Sequence, residues 1–112
     1  MSSKRRLSPL KSRAAIFAAL GDETRLAVLV KLGNGAPQSI ARLTQGTNLS
    51  RQAVTKHLRV LADAGVVRSL RVGRESQFRL ELKPIEDLRD YLDVVSRQWD
   101  DALARLKTHV ES

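Results

Sequence analysis

Five polar side chains near the middle of the chain fall on one face of a single helical segment: Arg51, Gln52, Thr55, Lys56 and Arg59. The opposite face carries Val54, Leu58 and Leu61 at i, i+4, i+7 spacing, with Ala53 and His57 on the flank. Side chains of these types donate and accept along the edges of base pairs. Arginine suits guanine, glutamine suits adenine, and threonine brings a hydroxyl and a methyl. They cluster in the first turns of the segment, the end that a helix-turn-helix inserts into a major groove. This pattern assigns Arg51, Gln52 and Thr55 to base edges, and Lys56 and Arg59 to phosphates or bases. A solvated surface helix would carry the same residues, so the weight rests on what surrounds them.

A second set of cations follows. Arg68, Arg71, Arg74 and Arg79 lie in two extended stretches, 66–72 and 76–80, separated by Gly73-Arg74. Alternating positions share a face of a strand, which makes Arg71 and the turn residue Arg74 candidates for phosphate or minor-groove contacts. Positive charge also guards an edge strand against aggregation, and both uses are compatible.

The elements that position these groups are legible from local signals. Ser8-Pro9 opens a helix reaching Leu20, and Asp22 caps a second one that ends at Gly33-Asn34-Gly35. Pro37 and Ser39 introduce a short helix to about Gln45, with Ile40 and Leu43 facing inward. After the break Gly46-Thr47-Asn48, Ser50 caps the polar-faced helix, which runs to Ala64 and stops at Gly65. The hairpin turning at Gly73-Arg74 comes next, and Pro84 opens a helix to about His109. The predicted fold is mainly α with a β-hairpin wing, a winged helix-turn-helix with a long C-terminal helix. Its divisions are a basic, disordered tail at 1–11, a DNA-binding domain at 12–83, and a dimerisation helix at 84–112 packed on that domain.

The last helix differs in character. Ile85, Leu88, Leu92, Val95, Trp99, Ala102 with Leu103, Leu106 and Val110 step by three and four, the seam of a coiled coil. About 26 helical residues span roughly 39 Å, more than cover for a small domain requires. Leu88, Leu92, Val95, Trp99, Leu103 and Leu106 are therefore the expected dimer interface. Charge agrees with this division. Residues 1–83 hold 16 Lys and Arg against 5 Asp and Glu, a net of +11, whereas residues 84–112 hold 4 against 7, a net of −3. The basic part suits a polyanion, and the acidic helix would be repelled by one.

Composition removes several classes. The 112 residues include no Cys and two His, which leaves no disulfide framework, thiolate metal site or Cys nucleophile. The longest apolar run, Ala14 to Leu20, has seven residues, against about 20 for a membrane span. It follows Lys4-Arg5-Arg6 but runs into Gly21-Asp22-Glu23, not a cleavage site for a signal peptide. No Gly-rich phosphate loop, Ser/His/Asp set or paired carboxylates outside the last helix suggest an enzyme. The expectation is a cytoplasmic protein without cofactor. Aromatics make up 4%, so the core should be aliphatic.

Several stretches together resemble the ArsR family of bacterial winged-helix repressors. They are Leu20-Gly21-Asp22-Glu23-Thr24-Arg25-Leu26, the block from Leu49-Ser50-Arg51-Gln52 through Leu61, and Ala64-Gly65-Val66-Val67. Gly73-Arg74 and Leu82-Lys83-Pro84 continue a likeness that covers roughly residues 12–110. It implies a homodimer held by its first and last helices, repressing a promoter by binding a palindrome. It also implies that Ser50, Arg51, Gln52, Thr55 and Lys56 stand at DNA-reading positions. Metal-sensing members carry Cys-rich boxes in the short helices, or Asp/His with His/Glu sets on the last helix. Here there is no Cys, residues 39–45 hold no ligand, His109 stands alone and His57 lies in the DNA-reading helix. The resemblance is therefore to the metal-independent branch, with no metal expected and any small-molecule effector left open. The rival readings are a chromosome-coating protein that binds DNA by charge and shape alone, and a winged-helix protein-interaction module.

Overall fold

The computed structural model describes residues 9–111, excluding the side chain of Pro9. Lys4, Arg5 and Arg6 of the expected basic tail lie outside the described residues. The element order is α1 (Pro9–Leu20), α2 (Glu23–Lys31), β1 (Gln38–Ser39), α3 (Ile40–Thr44), α4 (Arg51–Asp63), β2 (Val67–Val72), β3 (Glu75–Leu80) and α5 (Leu82–Glu111). Two compact units result, one ending at Leu82 and one beginning at Lys83. Residues 9–11, assigned above to a tail, are helical. Proline at a helix start loses nothing, because the first amides have no intrahelical acceptor.

Caps fix the helix starts in the first unit. The Asp22 carboxylate accepts the Arg25 N–H at 3.0 Å, and the Ser39 and Ser50 hydroxyls accept those of Arg42 and Ala53, each at 3.1 Å. At the end of α4, Val66 N–H donates to the Leu61 carbonyl at 3.0 Å and Gly65 N–H to that of Ala62 at 2.9 Å. This is a Schellman closure, and it requires the left-handed backbone that Gly65 adopts at φ +84°. Leu61 and Val66, brought together by it, are both fully buried.

The core is aliphatic. Val28 and Leu32 at α2, Leu43 of α3, Val54, Leu58 and Leu61 of α4, and Val66 and Val67 leading into β2 are buried together with Ile16 and Ala19 of α1. Every deeply buried position of α4 comes from its i, i+4, i+7 stripe.

The sheet has three antiparallel strands in the order β1-β3-β2. Its third member, Gln38–Ser39 paired with Gln77–Phe78, was not anticipated. Two residues have no periodicity to read, and only the distant partner strand defines them. The wing turns on Gly73 (φ +63°) and Arg74 between the paired residues Val72 and Glu75. Glycine first in a two-residue turn suits the twist of the flanking strands.

The second unit is essentially one helix. α5 begins at Leu82, two residues before Pro84, so the proline sits inside the first turn instead of opening it. No penalty follows, since the missing N–H is one of the unpaired ones at a helix start. None of the described helices is long and apolar enough to cross a membrane.

Candidate nucleic-acid interface

The turn between α3 and α4 is tied by short bonds. Gly46 takes a positive φ, the Thr47 hydroxyl donates to the Thr44 carbonyl at 2.6 Å, and the Thr47 oxygen accepts the Leu49 N–H at 3.2 Å. Lys31 reaches across from α2, donating through Nζ to the carbonyls of Leu43 at 3.1 Å and Gln45 at 2.8 Å. Those carbonyls close a helix C-terminus, where a cation is favoured. Arg25 does the same for α1, donating from Nε to the Ala19 carbonyl and from Nη2 to that of Ala18. Two cations of the basic unit are thus occupied within the fold. No local pattern in the sequence marks these roles, since Arg25 reaches back six and seven residues and Lys31 reaches forward 12 and 14.

These constraints present the outward face of α4 to solvent. Arg51, Gln52, Lys56 and Arg59 are exposed and Thr55 is half-buried. Among the described residues no carboxylate pairs with Arg51, Lys56 or Arg59. Ser50 serves as the α4 cap, and its hydroxyl proton remains available for a further acceptor. The Thr55 hydroxyl is committed, donating to the Arg51 carbonyl at 2.7 Å. A shallow depression of ≈ 410 Å³ opens on this face, lined by Arg51, Gln52, Thr55, Lys56 and Arg59 with Ile40 of α3. Ile40 is half-buried and lines this surface instead of joining the buried core, a correction to the expectation that it faces inward with Leu43.

On the far flank of α4, His57 Nδ1 lies 4.0 Å from the Asp22 carboxylate. The Asp22 carboxyl is held below its ordinary range, chiefly by the Arg25 N–H it accepts and then by the nearby charge of Arg25 and His57. On the wing, Arg71 and Arg74 are exposed near the tip. Arg68 stands opposite Arg79 in the ladder, and Arg79 is drawn to Glu81 at 3.6 Å. Arg79 is thus the wing cation paired with a carboxylate, whereas Arg68, Arg71 and Arg74 have no such partner among the described residues, and Arg71 and Arg74 are the two nearest the tip.

The residues expected at a dimer interface separate by exposure. Leu92, Trp99, Leu103 and Leu106 are open, with Trp99 65% exposed, whereas Val95 is half-buried and Leu88 is buried. No group of three or more His, Cys, Asp or Glu that could hold a metal occurs among the described residues.

A tied helix-turn-helix, a polar outward face and a hairpin with a cationic tip define a winged helix-turn-helix DNA-binding protein. The helix-turn-helix domain family matches residues 20–69. The chain is 36% identical over 83 residues to the HTH-type transcriptional regulator YuzN of Bacillus subtilis, covering 69% of this chain and 90% of that one. Its fold superposes with a TM-score of 0.80 on an ArsR-like transcriptional regulator from Rhodococcus sp. RHA1, at 37% identity over 91% of this chain and 95% of that one. A homodimeric winged helix-turn-helix DNA-binding domain, Mb0332 of Mycobacterium bovis, shares the fold at a TM-score of 0.62 and 22% identity, covering 80% or more of both chains (84% and 83%). The chain belongs to the ArsR family of helix-turn-helix transcriptional regulators, and it is a DNA-binding regulator, not an enzyme.

Proposed function

We propose that the protein is a cytoplasmic, homodimeric repressor that reads a palindromic operator with α4 and grips the flanking backbone with its wing. One observation carries this reading: the polar face of α4, whose cations have no carboxylate partner among the described residues, held outward by a capped and cross-braced turn. In it, Arg51, Gln52 and Thr55 meet base edges, Lys56 and Arg59 meet phosphates or bases, and Ser50 donates to a phosphate. Arg71 and Arg74 bind the backbone or the minor groove beside it. The open stripe of Leu92, Trp99, Leu103 and Leu106 joins two copies, in keeping with the homodimeric state of the Mycobacterium bovis domain. A two-fold pair sets two reading helices about 34 Å apart, one helical turn of DNA. The reading includes no metal effector, since the chain has no Cys and His57 lies on the flank of the reading helix.

The test is a fluorescence-anisotropy titration at ~0.15 M salt, comparing the protein's own upstream DNA with a shuffled duplex of equal composition. A preference of about 10³-fold or more supports the specific repressor. Equal affinity for these and for duplexes selected from a random pool would point to a protein that coats DNA by charge alone.

A further inference from the structure

A surface that reads bases by hydrogen bonds alone should be polar throughout, and this one is not. Ile40 stands in the same depression as Arg51, Gln52, Thr55, Lys56 and Arg59. Three of those five contribute long aliphatic stems below their charged ends. Thr55 has turned its hydroxyl proton back onto the Arg51 carbonyl at 2.7 Å, so it offers the depression a methyl group and an acceptor lone pair. The result is a carbon-walled floor ringed by an amide and three cations. In the major groove one apolar group projects from a base edge, the C5-methyl of thymine. Gln52, on the rim, has the amide that pairs with adenine, the partner of thymine.

We propose that the Ile40–Thr55 floor is a receptor for a thymine C5-methyl group, and that it determines specificity alongside Gln52. Ile40 thereby becomes a reading residue contributed by the first helix of the motif. This inference rests on α4 being the reading helix, as argued above.

The experiment separates the two readings. Duplexes that bind tightly are selected from a random-sequence pool, and each thymine of a selected site is replaced singly by deoxyuridine, which removes only the methyl. Affinity should fall about fourfold at one thymine per half-site, the loss expected for one buried methyl, and stay level at the others. Thr55→Ser keeps the hydroxyl bond to Arg51 and removes the wall methyl, and Ile40→Ala removes the floor. Each should bind the thymine duplex more weakly and no longer distinguish it from the deoxyuridine duplex. Retained melting temperature in Thr55→Ser keeps the comparison valid where Ile40→Ala folds poorly. Equal affinity of the unmodified protein for every thymine and deoxyuridine duplex would overturn the methyl receptor and leave the specific repressor standing. A discrimination that persists in both variants would place the methyl contact elsewhere and overturn the assignment. Failure to select any preferred sequence would defeat the reading of α4 itself, and the receptor with it.

Discussion

At the scale of single residues, the basic side chains divide into those the fold uses and those it leaves free. Lys31 and Arg25 close helix ends with their cations, and Arg79 lies beside Glu81. Arg51, Lys56, Arg59, Arg71 and Arg74 have no such partner among the described residues. Two substitutions separate base reading by the polar face of α4 from backbone contact by the free wing cations. Gln52→Ala should weaken operator binding by about 1–3 kcal/mol and relax preference at one base position. Arg74→Ala should weaken all duplexes evenly and lower the slope of log affinity against log salt by about 1. Equal effects on specific and random DNA in both variants would contradict the division. Asp22 provides a pH dependence. Its carboxyl is held low in the folded chain, so it stabilises above its unfolded pKa and loses that contribution as acid protonates it. The difference in Tm between the wild type and Asp22→Ala should be present at neutral pH and shrink below about pH 4, measured by thermal unfolding.

Elements were largely readable because their ends are set by neighbours in the chain. Serine and aspartate at a helix start, and a left-handed glycine after its end, act over three or four residues. Asp22, Ser39, Ser50 and Gly65 do this here, and the resulting helices lie within a residue or two of expectation. Gly65→Ala measures the same effect from the other side. Nothing stands within 4 Å of the added Cβ, so the cost is the backbone strain alone, about 1–2 kcal/mol in a denaturant titration. A value near zero would mean that the Schellman closure contributes little. β1 and the start of α5 escaped the same reasoning. A two-residue strand exists through pairing with Gln77–Phe78, some forty residues away, and Pro84 is as acceptable in the third helical position as in the first.

For the molecule as a whole, charge and exposure differ sharply between the two units, as the proposed division of tasks requires. The first concentrates a net +10, with 15 Lys and Arg against 5 Asp and Glu in residues 1–82, while α5 carries acidic side chains beside an open apolar stripe. Thirty helical residues extend about 45 Å, long enough for a continuous seam with a second copy. Replacing both Trp99 and Leu103 by Glu should convert a dimer to a monomer in light scattering and weaken operator binding at least tenfold. The isolated reading surface should persist in that variant, seen as retained weak binding to random DNA at low salt. A monomer mass for the unaltered protein at micromolar concentration would contradict the seam.

The amino-acid sequence by itself determined the helix-turn-helix, the face of α4 that looks outward and the unequal charge of the two parts. Each of these follows from periodicity, capping and composition, which operate between residues close in the chain. Only the tertiary structure decided which cations remain free, since Lys31 reaches carbonyls 12 and 14 residues away. It alone brought Ile40 into one depression with the outward polar face of α4. Those outcomes depend on which segments pack together, and no local pattern encodes the distance between side chains that the fold brings into contact.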